Sequence, residues 1–169
     1  MTPPSITGKS ASGENSPLDL GTPLAALTSF YSAFNNRDLA QMEAVWLPGD
    51  DPSMDNPIGG IRRGWSEIRA GYAKLFSGPA QVYVEFYDYS LQVEGACAIA
   101  VGRERGWCQT PAGRIQLAIR TSRVFVRTAQ GSQAQCWRQI HHHGSVEFPA
   151  LLAEYQKLIL GAALEAPAA

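Results

Sequence analysis

The sequence predicts an α+β domain in which helices pack on one face of a curved antiparallel sheet. Three observations carry this reading. Apolar residues recur at helical spacing up to Phe76. From Gln81 the period changes to two and holds to Val146. Short turns containing Gly or Pro separate the alternating stretches. Long strands bend, and a bent sheet covered by helices encloses a conical cavity. With 169 residues, 45% of them hydrophobic, the chain is long enough to bury a core as one domain. A net charge of −1 leaves no basic surplus for a phosphate backbone, so nucleic acid is not an expected partner.

The elements follow in order. Residues 1–20 are rich in Pro, Ser, Gly and Thr and read as a disordered leader. Thr22-Pro23 opens a first helix, with Leu24, Leu27, Tyr31 and Phe34 on one face. Asn35-Asn36-Arg37 reads as its frayed end. Asp38 caps a second helix, Leu39 to Leu47, which stops before Pro48. The stretch PGDDPSMDNPIGGIRRG is a loop with a short hairpin around Met54 to Ile61. A third helix runs from Ser66 to Phe76. Four strands then form a meander, QVYVEFYDYSLQV, ACAIAVGRERGWCQ, RIQLAIRTSRVFVRT and AQCWRQIHHHGSV, with AQGSQ as the last turn. FPALLAEYQKLILG is a closing helix and AALEAPAA a frayed tail, so residues 148–169 stand as an appendage to a domain over 21–147.

Alternation sorts the strands by face. In the third strand Ile115, Leu117, Ile119, Thr121, Arg123 and Phe125 form the more apolar set and are assigned to the helices. In the second, Ile99, Val101, Arg103, Arg105 and Trp107 are the larger residues and receive the same assignment. Their neighbours Ala98, Ala100, Gly102, Glu104 and Gly106 are then left outside, where small residues would admit a second sheet, as in a homodimer. Arg103 and Arg123 thus point inward. Each either pairs with an internal carboxylate or awaits an anionic ligand.

All three histidines sit together in WRQIHHHGSV. Strand alternation puts His141 and His143 on the face of Trp137 and Gln139, with His142 opposite. The three cannot converge on one ion, and no metal is expected. Cys97, Cys108 and Cys136 are scattered and read as small hydrophobes in a reduced, cytoplasmic setting. No apolar run is long enough for a membrane span.

The stretch TSRVFVRTAQGSQAQCWRQIHHHGS resembles the closing hairpin of the nuclear transport factor 2-like superfamily. The resemblance is nearest to its calcium/calmodulin-dependent kinase II association-domain and SnoaL-like branches. ALTSFYSAFNNRDLAQMEAVW and DNPIGGIRRGWSEIRAGY are similar to the same pattern, and the likeness spans about residues 22–146. It implies a cone whose cavity is lined by sheet arginines. These fall on Arg123, on Arg103 and, for a third, where this chain has Gly144. It sends His142 toward the cavity. The ketosteroid isomerase branch uses a cavity tyrosine and two acidic residues, and Asp55 is the candidate here for a cavity carboxylate. Tyr31, Phe34, Trp46, Tyr72 and Phe76 are candidate apolar walls.

Two functions are consistent with this. One is a small-molecule enzyme, an isomerase, dehydratase or cyclase acting on a carboxylate or carbonyl compound without a cofactor. Asp55 or His142 would move the proton and Arg103 and Arg123 would hold an oxyanion. The other is a non-catalytic ligand-binding or association module.

Overall fold

The computed structural model describes residues 5–7, 10–14, 16–128 and 135–160. The elements are β1 (Ser5–Thr7), α1 (Pro23–Asn35), α2 (Leu39–Val45), β2 (Ser53–Asp55), β3 (Ile61–Arg63), α3 (Gly64–Ser77), β4 (Gln81–Glu94), β5 (Cys97–Thr110), β6 (Gly113–Thr128), β7 (Cys136–Val146) and α4 (Pro149–Leu160). The strands form one sheet in the order β1-β4-β5-β6-β7-β2-β3. All neighbours are antiparallel except β2 and β7. The meander is therefore as expected, and the small β2–β3 hairpin extends it beyond β7.

The helices form where their caps dictate. Thr22 Oγ1 accepts from Ala25 N, with Pro23 at the first position of α1. Asp38 Oδ1 accepts from Gln41 N and starts α2. Leu27, Phe30, Tyr31, Ile68 and Tyr72 carry the buried faces of α1 and α3 onto the sheet.

Asn35-Asn36-Arg37 is a joint rather than a frayed end. The Asn35 amide donates to Val84 O and accepts from Val84 N, imitating a strand partner for β4. Arg37 takes φ of 56° and donates to the carbonyls of Leu75, Phe76 and Gly78 at the end of α3. The segment expected to be a disordered leader is also partly built in. Ser5–Thr7 pairs with β4, and buried Ala11 bridges to Phe86. Gly13 has φ of 65° and lies so near α1 that a Cβ there would stand 2.1 Å from Ser32 N. The AQGSQ turn and the AALEAPAA tail fall outside the described residues.

Two bulges set the curvature and re-aim side chains. Register slips between Tyr87 and Ser90 in β4, where Asp88 has φ of 47°. In β7, Phe125 faces Gln139 while Val124 faces His141, so Ile140 is the extra residue. The bulge restarts the alternation. Trp137 and Gln139 are buried before it, and His142 and Gly144 after it.

In β6 the inward set is the one expected. In β5 it is the reverse. Ala98, Ala100, Glu104 and Cys108 are buried, while Ile99 and Val101 are 39% and 51% exposed. The small residues serve close packing inside. A Cβ on Gly102 would fall 2.5 Å from Tyr89 Cβ and 2.9 Å from the Phe86 ring.

Candidate functional site

The centre of the sheet holds a buried polar cluster. Arg123, 1% exposed, extends from β6 beneath α1. Its Nε donates to Tyr31 Oη (3.0 Å), Nη1 to Gln139 Oε1 (3.0 Å) and Nη2 to Glu104 Oε1 (2.8 Å). Tyr31 Oη in turn donates to Glu104 Oε1 at 2.6 Å. The guanidinium lies 3.6 Å from the centroid of the Phe30 ring. Burial works against the Arg123 charge, but Tyr31, Glu104 and Tyr72 outweigh it and the proton is held more firmly than in water. Burial lifts the Tyr31 hydroxyl well above the phenolic range, with Arg123 opposing and Glu104 assisting.

Above this cluster opens a cavity of about 680 Å³. Phe30 and Phe34 of α1, Tyr72 and Leu75 of α3, and Val82, Val84 and Ile119 of the sheet form apolar walls. Met54, Pro57 and Ile58 of the β2–β3 hairpin form another side. Helix α4 lies across it, contributing Tyr155, Leu158 and Ile159, and Gln156 Nε2 ties α4 to Ile58 O at 2.9 Å. Burial pushes the hydroxyl pKa of Tyr72 and of Tyr155 far upward, so both are hydrogen-bond donors at any working pH.

Among the described residues, His142 is the lining side chain whose polar atoms are fully buried and still lack a partner. It is 6% exposed, and neither ring nitrogen has a hydrogen bond. Burial first, then the Arg123 charge and the flanking His141 and His143, drives its pKa well below the ordinary imidazole value. The ring is neutral at pH 7. Gly144 makes room for it, because a Cβ at that position would stand 3.3 Å from His142 Nε2 and 3.1 Å from Pro57 Cδ.

A model of the SnoaL-like domain family matches residues 24–150. The chain belongs to the SnoaL-like family. Among solved structures it is similar to a protein assigned as a calcium/calmodulin-dependent protein kinase type II association domain from Thiobacillus denitrificans. Identity is 26%, the match covers 78% of this chain and 99% of that one, and the TM-score is 0.58. A protein assigned as a dehydratase of the NTF2-like family from Streptomyces avermitilis is 23% identical over 73% of this chain and 91% of its own, with TM-score 0.61. A ketosteroid isomerase-like protein from Erwinia carotovora atroseptica is 19% identical over 80% and 99%, with TM-score 0.61. The last two likenesses show the fold alone. A search of curated protein sequences found no match. No described helix is long and apolar enough to cross a membrane.

Against the SnoaL-like cone, the sequence-derived site divides. Phe34, Tyr72, Arg123 and His142 line the cavity. Tyr31 and Trp46 are fully buried in the packing around it, Trp46 stacked on Trp65, and Phe76 packs against Phe34 and Tyr72. Arg103 is a correction. It leaves the outer face, its side chain 48% exposed, and pairs with Asp88 and Glu147. Trp107 is another, stacked with Tyr83 on the outer face under the Arg114 guanidinium. Asp55 also lies away from the cavity, its Oδ2 3.0 Å from His143 Nδ1, while Ser53 Oγ meets His141 Nδ1 at 2.8 Å. Two outer histidines thus bond to β2 and the middle one faces in. Glu104, Arg62 and Tyr155 are lining residues that the sequence reading did not assign to the site.

Proposed function

We propose that the SnoaL-like cone binds a small, largely apolar carbonyl compound and moves a proton on it through His142. The observation that carries this is the neutral, partnerless imidazole in the wall of an apolar cavity. Leaving buried polar atoms unpaired costs about 1–3 kcal/mol, which a fold retains where a ligand completes the bonding. A turn of the ring about its Cβ–Cγ bond would present a nitrogen to the substrate. A neutral imidazole is the form that accepts a proton. The Tyr72 and Tyr155 hydroxyls supply donors for the oxygen on which charge develops. Arg123 is given a different task from the one its position in the sequence implied. With Glu104 as counter-ion and Tyr31 and Gln139 as further partners, it holds the floor rigid and supports no anion site of its own.

The test is deuterium wash-in. The protein is incubated with decanone in D₂O, and exchange at the carbons beside the carbonyl is followed by NMR. We expect exchange faster than in buffer alone, reduced at least about a hundredfold in His142→Leu. Decanone that raises the melting midpoint of wild type without exchanging would sink the catalytic reading and leave a binding module.

A second observation supports association beside ligand binding. Ile99 and Val101 form an apolar strip on the outer sheet face. We extend the proposal to a homodimer through that face. Val101→Glu should convert a dimer to a monomer in light scattering; a wild type that is monomeric at high micromolar concentration speaks against it.

A further inference from the structure

The cavity carries four charged side chains in its lining, Arg62, Lys74, Glu104 and Arg123. Glu104 and Arg123 cancel each other on the floor. Arg62 and Lys74 remain. Lys74 is exposed and Arg62 half-buried, so this charge lies toward solvent. Among the described residues neither makes an ion pair. The lining is otherwise mainly apolar, with no second carboxylate to answer them.

Arg62 also has room made for it by an omission. It reaches from β3 across α3 at Gly71. A Cβ on Gly71 would stand 2.8 Å from Arg62 Nε, 2.9 Å from its Cζ and 3.2 Å from its Cδ. A glycine inside a helix weakens it relative to alanine. Here it lets the guanidinium lie flat against the helix at the cavity.

We propose that Arg62, seated on Gly71 and assisted by Lys74, reads a carboxylate on the outer end of the ligand. The natural ligand is then an amphiphile. Its apolar body fills the cone, its reacting carbonyl lies inward, and its anionic end stays at the mouth, where water still solvates it. An anion deeper in the cone would meet a floor on which Glu104 already neutralises Arg123. This rests on the pocket reading above and adds the polarity and direction of the ligand.

Decanoate and decanol are matched probes that differ at one end. Their dissociation constants are measured by calorimetry on wild type, Arg62→Met and Gly71→Ala, below the micellar range and at two salt concentrations. Wild type should prefer decanoate by about fivefold to tenfold at low salt, and less at high salt, as a partly exposed charge contact requires. The preference should fall to about one in Arg62→Met. Gly71→Ala keeps the charge and favours the helix, so it should fold at least as well as wild type while losing most of the preference. Decanol bound as tightly as decanoate by wild type would overturn the proposal and leave the pocket standing. So would a preference that survives Arg62→Met. Neither probe binding would remove the pocket reading and this inference with it.

Discussion

Arg123→Met should unfold at a midpoint roughly 10 °C below wild type. The substitution keeps the bulk of the side chain but leaves Glu104 buried without its cation. Breaking a buried pair in this way costs about 3–5 kcal/mol, and a chain of this size loses about 2–4 °C per kcal/mol. The loss is larger than for an exposed pair because Glu104 and Arg123 are both nearly inaccessible to water. Tyr31 and Gln139 would lose a donor at the same time. Arg123→Met combined with Glu104→Leu should recover half or more of the loss, since no uncompensated charge remains. Chemical denaturation of the four proteins closes the cycle. A single-variant loss below about 1 kcal/mol would show that the cluster does not hold the floor of the cone.

The second large effect is a dependence on pH that one residue should account for. Burial holds the folded-state pKa of His142 well below the ordinary imidazole value of about 6.5. As pH falls, the unfolded chain takes up this proton first. The His142 contribution is therefore fully present above about pH 6.5 and is lost on acidification through that value. The slope approaches about 1.4 kcal/mol per pH unit until the folded pKa is reached. His142→Leu should remove that slope between pH 6.5 and 5. It should also raise stability at pH 7 by about 1–2 kcal/mol, because two unpaired ring nitrogens leave the core. A more stable and inactive variant is the signature of a group kept for function. An equal acid slope in the variant would assign the titration to other groups.

The face assignment of β5 shows where the sequence reading went astray. The two-residue turn Pro111-Ala112 pairs Thr110 with Gly113. That register sets odd-numbered residues of β6 opposite even-numbered residues of β5, Arg123 facing Ala100 and Ile119 facing Glu104. Opposed residues share a face. Placing the odd residues of both strands inside, as side-chain size invited, is incompatible with such a hairpin. Glu104 could have been found from the turn length alone.

By itself the sequence determined the element order from α1 to α4, the caps of α1 and α2 and the antiparallel meander. These rest on local chemistry and on a period that needs no partner to be read. It also singled out Phe34, Tyr72, Arg123 and His142. Only the tertiary structure decided how Trp137 and His142 can both face inward, since an extra residue at Ile140 resets the alternation and no local signal marks it. It decided that Arg123 is paired and that Arg103 and Asp55 lie outside. It also brought Tyr155 of α4 to the same cavity as Arg62 and Gly71 of the adjacent β3 and α3, far earlier in the chain. Such neighbours are set by register and packing between strands and helices, which depend on pairwise contact across the fold rather than on any stretch of residues read alone.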